Sequence, residues 1–252
     1  METQTRFDDY VDLYDKYRLK YNTDVLNKTI LFIKHIKNDI KTIADIGAGT
    51  GILTHQLLKY KLNTFALEPN KLMQDRSNKK DTKKKITHIN KSSTKTTLKT
   101  SSIDIIFVGT AIHWFEPKET LKEFKRILKK NGFLVILSSG YSGKIGQEIH
   151  DMYQKYKLNS NKVITRYKKG MINYSNEYHT IISRKPINLT MEQFVGLEMS
   201  MSTAPKKDNK IYKLYICDLQ KIFKKYSKKN KLTIINKTTA LISNKLLHTK
   251  TI

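Results

Sequence analysis

One cysteine in 252 residues, Cys217, leaves no intrachain disulfide to hold the chain together. The fold must therefore rest on a buried core, and this length suffices for one large domain, with or without a lid or inserted subdomain. No apolar run approaches the roughly 20 residues that a membrane-spanning helix needs. Met1 to Arg6 carry no apolar stretch of the kind that marks a secretory leader. The expectation is a cytoplasmic protein with no membrane partner, working as a monomer or homodimer. The seven histidines are scattered without the spacing of metal ligands, so no metal is expected.

Arginine is scarcer still, with 6 against 42 lysines. A formal net charge of +26 suggests a polyanionic partner such as nucleic acid. Yet arginine, the residue of bidentate phosphate and base recognition, is nearly missing. The lysines are spread along the whole chain beside abundant Ile and Asn. A genome rich in A and T produces that composition without any role for the charge, and this reading is favoured over a functional basic surface.

What the chain does have is a concentration of glycine. Ile43 to Gly51 reads Ile-Ala-Asp-Ile-Gly-Ala-Gly-Thr-Gly, and seventeen residues after Gly51 the pair Leu67-Glu68 closes a second apolar run. The pattern predicts a short strand, a tight turn, a helix from Ile52 to Tyr60, then a strand over Asn63 to Leu67 ending on an acid. Glycine suits a turn in which backbone approaches a ligand or takes positive φ. Such a layout marks a nucleotide-type site at the first crossover of a doubly wound sheet, with Glu68 placed to accept from a ribose diol. The dinucleotide fingerprint G-x-G-x-x-G puts its last glycine five positions after the first, but here that position is Ile52. A pyrophosphate also seeks open amides at a helix N-terminus, and Asp45 just before the turn would repel it. An acid there suits a cationic ligand.

Further along, Tyr10, Tyr14, Tyr17 and Tyr21 recur at three- and four-residue steps, predicting a helix over Phe7 to Tyr21 with a tyrosine face. It would either pack on a sheet or cover the site, bringing Arg18 near the substrate. Asp24 to Lys37 reads as the next helix. Pro69-Asn70 starts another, Lys79 to Lys85 is a solvated loop, and Ile86 to Ile89 is a strand. The apolar run Ile103 to Val108 is the mark of a central parallel strand. Gly109 to Phe115 is a loop, Pro117 opens a helix to Lys130, and Phe133 to Leu137 is a fifth strand. Gly143 to Leu158 and Asn209 to Tyr226 have helical periodicity. Tyr178 to Leu189 and Leu232 to Ser243 read as strands that finish the sheet. Tyr141 to Met201 is longer than a simple crossover needs and is expected to roof a pocket, with Tyr167, Tyr174 and Phe194 as candidate lining residues.

The glycine turn with Asp45 resembles motif I of the class I S-adenosylmethionine-dependent methyltransferases. Ser102-Ile103-Asp104-Ile105-Ile106, His113-Trp114-Phe115, the run Leu121 to Lys129 and Asn131-Gly132 extend the likeness to the methyltransferase type 11 group. Within it the chain is similar to the His-Trp-Phe branch, which includes trans-aconitate methyltransferase-like enzymes. The resemblance covers about residues 40 to 140, with weaker likeness at Thr190 to Phe194 and Ser200 to Ser202. It implies a Rossmann-like α/β fold, a doubly wound, mostly parallel seven-stranded sheet with a C-terminal helical insertion roofing the substrate pocket. One domain is expected, with a helical cover over residues 1–38, a cofactor-binding half over 39–140, and roof and final strands over 141–252.

By the same resemblance, Asp45, Gly47, Ala48 and Gly49, with Thr50 and Gly51 in the same turn, hold the methionine end of S-adenosylmethionine. Glu68, followed by Pro69, accepts from both ribose hydroxyls. Lys91-Ser92-Ser93-Thr94 falls where relatives have Gly-Asp-Ala-Glu, so Ser92 replaces an acid that takes the adenine amino group, and a hydroxyl can still accept that bond. Thr110 and His113 fall beside the reactive methyl. The acceptor is expected between Tyr14, Tyr17, His113 and the roof, with His113 a positioning residue in preference to a base. The function expected is methyl transfer to an O, N or C nucleophile of a small molecule, an acidic metabolite among the candidates. A nucleic-acid methyltransferase is the first rival. Gly109-Thr110-Ala111-Ile112 lacks the Asn/Asp-Pro-Pro-aromatic turn of amino-methylating enzymes, and Cys217 is far from motif I. A cofactor-binding homologue without activity is the second.

Overall fold

Strands buried on both faces of a sheet must be apolar throughout, and strands at its edge need not be. The computed structural model describes residues 10–158 and 171–247. Among them are strands β1 (Thr42–Ile46), β2 (Asn63–Leu67), β3 (Ile86–Ile89), β4 (Ile103–Gly109), β5 (Leu128–Ser142), β6 (His179–Leu189) and β7 (Leu232–Ser243). They form one sheet in the order β3-β2-β1-β4-β5-β7-β6. The first five run parallel, and β7 and β6 add antiparallel pairings. Chain order reverses between β1 and β4, so their C-terminal ends open the crevice where ligands bind in such sheets.

The helices are α1 (Val11–Tyr17), α2 (Thr23–Ile36), α3 (Ile52–Leu57), α4 (Lys71–Lys80), α5 (Pro117–Ile127), α6 (Lys144–Lys155), α7 (Met191–Met199) and α8 (Tyr212–Tyr226). Successive side chains of β4 and β5 alternate between two cores, as strand geometry requires. Ile105, Phe107, Phe133 and Val135 pack with Leu26, Ile30 and Ile33 of α2 and Leu53 of α3. Ile106, Val108, Leu134 and Ile136 pack with Leu121, Phe124 and Ile127 of α5. A third core lies under the roof, where Ile149 and Met152 of α6, Phe194 and Leu197 of α7, and Leu219 and Phe223 of α8 meet. No helix among the described residues is long and apolar enough to cross a membrane.

Two elements differ from the sequence expectation. The tyrosine helix stops at Tyr17, because Arg18 is extended at φ −62°, ψ 136°. The side chain of Gln56 then binds both the amide (3.0 Å) and the carbonyl (2.8 Å) of Tyr21, pinning that residue in non-helical backbone. The helix expected to reach Lys130 ends at Ile127, and β5 begins at once and runs for 15 residues. Its polar tail past Leu137 extends because β7 pairs with it through Ser142↔Ile235, satisfying backbone groups that an apolar pattern cannot foretell. Elsewhere the limits agree within a few residues, and for β7 they coincide.

At the opposite end of β4 from the crevice, Asp104 is a buried fastener. Its Oδ2 accepts from the amides of Lys41 and Thr42, both at 3.0 Å, and from Lys129 Nζ at 2.8 Å. Lys37 Nζ lies 2.9 Å from Oδ1, and the side chain is 1% exposed. Burial alone would raise this carboxyl, but the Lys129 and Lys37 bonds outweigh it and hold it well below the usual carboxylate range. Asp104→Ala should therefore cost about 3–5 kcal/mol in denaturant unfolding, since it strands buried donors and cations. A depressed folded value gives stability that is present above the unfolded value of about 3.9 and lost as pH falls below it. The gap between wild type and variant should accordingly shrink in unfolding curves taken below about pH 4.

Candidate functional site

The crevice begins where β1 stops. The amides of Gly47 and Ala48 both donate to the carbonyl of Leu67, at 2.9 and 3.0 Å, folding the turn over the end of β2. Gly47 takes φ +74°, and a Cβ there would lie 2.7 Å from the Cβ of Ala111. Only glycine fits that position. Glu68 then closes the turn from the other side, accepting from the Gly49 amide at 2.8 Å and the Asn70 amide at 2.9 Å. Burial raises its carboxyl, and those two amides oppose the rise.

Asp45 is fully buried at the end of β1. Thr54 donates to its Oδ2 at 2.6 Å, while Oδ1 has no hydrogen-bond partner among the described residues. Burial pushes this carboxyl up to about 7, the Thr54 bond pulls it down, and the field of Glu68 pushes it up further. A buried acid with an open oxygen beside a glycine turn is a receptor for a cation.

Three cavities meet here, and Tyr14 and Thr110 line all of them. The first, narrow at about 50 Å³, is bounded by Asp45, Gly47, Ala48, Arg18 and Tyr21. The second, about 440 Å³, is bounded by Gly49, Glu68, Pro69, Ser92, Ser93 and Thr94, with Trp114 and Phe115 opposite. The third, about 390 Å³, lies under the roof between His113, Trp114, Tyr141, Tyr153 and Glu198. Thr110 stands at the junction with φ +54°, a conformation rare for a β-branched residue. Its amide donates to Leu137 O at 2.8 Å and its hydroxyl pairs with that of Tyr21 at 2.8 Å, which together hold the strained residue in place.

Most of the residues singled out in the sequence come together here. Asp45, Gly47, Ala48, Gly49, Glu68, Pro69, Ser92, Ser93, Thr94, Thr110, His113 and Tyr14 all line one or more of the three cavities. Ser92 and Thr94 share a hydrogen bond of 2.9 Å, and Ser93 bonds Thr120 at 2.8 Å, so the hydroxyl cluster is fixed in the wall. His113 packs against Trp114 with ring centroids 4.5 Å apart.

Others lie elsewhere. Thr50 is buried and Gly51 caps α3 at φ +81°, so both shape the turn from behind, outside the cavity walls. Tyr17 faces away, its hydroxyl donating to Glu192 at 2.5 Å. Its ring covers Gly196 of α7, where a Cβ would come within 2.5 Å of it. Helical periodicity put Tyr14 and Tyr17 on one stripe, but Tyr14 lines the cavities whereas Tyr17 packs on α7. Tyr174 and Phe194 are fully buried core residues and not pocket lining. Tyr167 lies outside the described residues. Tyr141, Tyr153 and Glu198 were missed. One signal was available for Glu198: it follows Phe194 by four positions, which places an acid on the buried stripe of a short apolar helix.

Comparison with known proteins agrees with this geometry. Residues 44–136 match the family model described as "Methyltransferase domain". A Dictyostelium discoideum protein named "Putative methyltransferase" is 31% identical over 142 residues, covering 55% of this chain and 52% of that one. A Saccharomyces cerevisiae protein named "Probable S-adenosylmethionine-dependent methyltransferase" is 26% identical over 124 residues, 47% of this chain and 42% of that one. The chain thus spans about half the length of the curated relatives it matches or less. Among solved structures, "a Putative Type II Methyltransferase from Anaeromyxobacter dehalogenans" superposes with a TM-score of 0.69 at 11% identity, over 90% of this chain and 96% of that one. At that identity the likeness speaks for the fold. The chain therefore shares the Rossmann-like fold of that structure, and residues 44–136 are similar to the methyltransferase domain family.

Proposed function

We propose that the protein is an S-adenosylmethionine-dependent methyltransferase acting on a small molecule. The observation that carries this reading is the pair of buried carboxylates, Asp45 with an open oxygen and Glu68 on the opposite side of the glycine turn, in adjoining cavities. When bound, the cofactor supplies an electrophilic methyl group on a sulfonium sulfur. The open oxygen of Asp45 suits its ammonium, and Arg18, which borders the same narrow cavity, suits its carboxylate. Each oxygen of Glu68 holds one amide and keeps a lone pair for a ribose hydroxyl. Pro69 and the hydroxyls of Ser92, Ser93 and Thr94 line the part left for the base.

Tyr14 and Thr110, shared by all three cavities, then stand where methyl donor and acceptor meet. Alignment and exclusion of water are the main tasks left to the protein. The third cavity, about 390 Å³, falls in the range typical of small-ligand sites. His113 and Trp114 in its wall support a positioning role for His113. The lysines do not argue for nucleic acid, because scattered surface cations make few simultaneous phosphate contacts.

In calorimetry, S-adenosylmethionine and S-adenosylhomocysteine should bind and NAD should give no signal. Glu68→Ala should weaken binding by about 2 kcal/mol, the worth of a charged acceptor shared by two hydroxyls. Gly49→Val should be worse, since its side chain would enter cofactor space. An unchanged dissociation constant in Glu68→Ala would move the ribose contact elsewhere.

Asp45 gives a second test, with two signs. A carboxyl raised in the folded state favours folding below its unfolded value of about 3.9 and loses that advantage as pH rises toward about 7. Unliganded Asp45→Asn should therefore be more stable than wild type at pH 8, by about 4 kcal/mol, with the gap closing toward pH 4. The same variant should bind S-adenosylhomocysteine more weakly. A variant less stable at every pH would mean that Asp45 is a structural anchor.

For the acceptor, labelled cofactor should be offered in parallel to total RNA, DNA and a small-metabolite extract. Label is expected in the metabolite fraction. Label in nucleic acid, with tight binding that survives physiological salt, would reverse the choice of substrate class.

A further inference from the structure

We propose that the third cavity is built to receive a hydrogen-bond donor, so that the methyl acceptor is an amine or hydroxyl compound and not a carboxylate, and that Tyr141 and Glu198 take up its proton. The proposal rests on the methyltransferase reading and names the substrate class for it. Three elements converge on one carboxylate. Glu198 of α7 is fully buried, Tyr141 at the end of β5 donates to its Oε1, and Tyr153 of α6 donates to its Oε2 at 2.8 Å. All three line the cavity, and Tyr141 also lines the narrow one beside Asp45, which puts it next to the junction.

The direction of these bonds decides what the wall offers. Each phenolic hydrogen is committed to Glu198, so a ligand meets the lone pairs of the two tyrosine oxygens. A carboxylate would bring more lone pairs and a negative charge toward a desolvated carboxylate, which costs far more in a buried wall than in water. An N–H or O–H brings the hydrogen that those lone pairs lack. Among the described residues, Arg18 is the one arginine or lysine in the lining. It donates to Ser200 O at 3.1 Å and stacks on Tyr14 at 4.7 Å, and its field favours the ionised form of Glu198. Burial in turn raises the affinity of Glu198 for a proton, as a proton acceptor requires.

The step balances. The acceptor's X–H bond breaks as its X–CH3 bond forms, and the electron pair of the broken carbon–sulfur bond stays on sulfur, turning sulfonium into neutral thioether. The acceptor's proton passes to the oxygen of Tyr141 as that residue's own proton passes to Glu198, which ends as a neutral acid.

The test uses the chemistry of the product. Labelled S-adenosylmethionine is offered, with the full-length protein, to matched panels of amines, alcohols, phenols and carboxylic acids and to a metabolite extract, and products are treated with alkali. Methyl esters release volatile methanol, whereas N-methyl and ether products keep the label. Base-stable label is expected, from the amine, alcohol or phenol panel. Tyr141→Phe should lower kcat by about a hundredfold, a typical share for positioned proton transfer, and raise KM for the acceptor that its oxygen receives, with S-adenosylhomocysteine still bound. Glu198→Gln should do likewise, and Tyr153→Phe, which leaves one donor on the carboxylate, should cost less. Volatile label as the main product would overturn the proposal, as would wild-type kcat in both Tyr141→Phe and Glu198→Gln. Cofactor-product binding, measured on every protein, separates the failures. A wild type that binds no S-adenosylhomocysteine, or binds it and labels nothing, refutes the methyltransferase reading itself and this proposal with it.

Discussion

The crevice depends on one carboxylate. Glu68 takes one amide from the turn after β1 and another from the start of α4, so a single side chain fixes both lips of the opening. It can do so because β1 and β2 are parallel neighbours in register Ile46↔Leu67, which brings the residues following each strand face to face. Neither buried amide would find another acceptor if the acid were lost. The shape of the glycine turn and the shape of the adjoining cavity are thus one constraint. Asp45, anchored through Thr54 of α3, inherits its position from the same turn.

The turn after β1 and the strands beside it were legible in the sequence because their parts are set by near neighbours in the chain. A strand, a glycine turn and a helix name their own geometry, and the acid after the next strand can only fall opposite. β4 was readable from an apolar run broken only by Asp104, and β7 from its alternation, buried at Leu232, Ile234, Asn236, Thr238 and Ala240. The acceptor side was not readable in this way. Tyr141 and Tyr153 lie 57 and 45 residues from Glu198, and only the packing of α6 and α7 against the end of β5 unites them. Tyr17 went astray for a like reason. Periodicity gave it the stripe of Tyr14, and both lie within α1, but tertiary packing sets Tyr17 against Glu192 and Gly196 of α7.

The charge takes on a plainer meaning in three dimensions. Arg76 and Lys80 of α4 pair with Asp12 and Asp15 of α1, tying the N-terminal helix to the cofactor half. Lys155 pairs with Asp218 at 2.6 Å and Lys225 with Glu148 at 2.5 Å, joining α6 to α8. Exposed pairs of this kind each contribute little. They add to the apolar contacts that already hold those helices, and they use cations on several sides of the molecule instead of gathering them into one groove.

Thr110 has a consequence of another kind. A β-branched residue held at positive φ works against folding, and glycine in its place would relax the backbone. Glycine would also delete the hydroxyl that binds Tyr21 and the bulk that partitions the three cavities. Selection for stability and selection for chemistry therefore pull this single position in opposite directions. Threonine at this position thus trades thermal robustness for a wall between the three cavities.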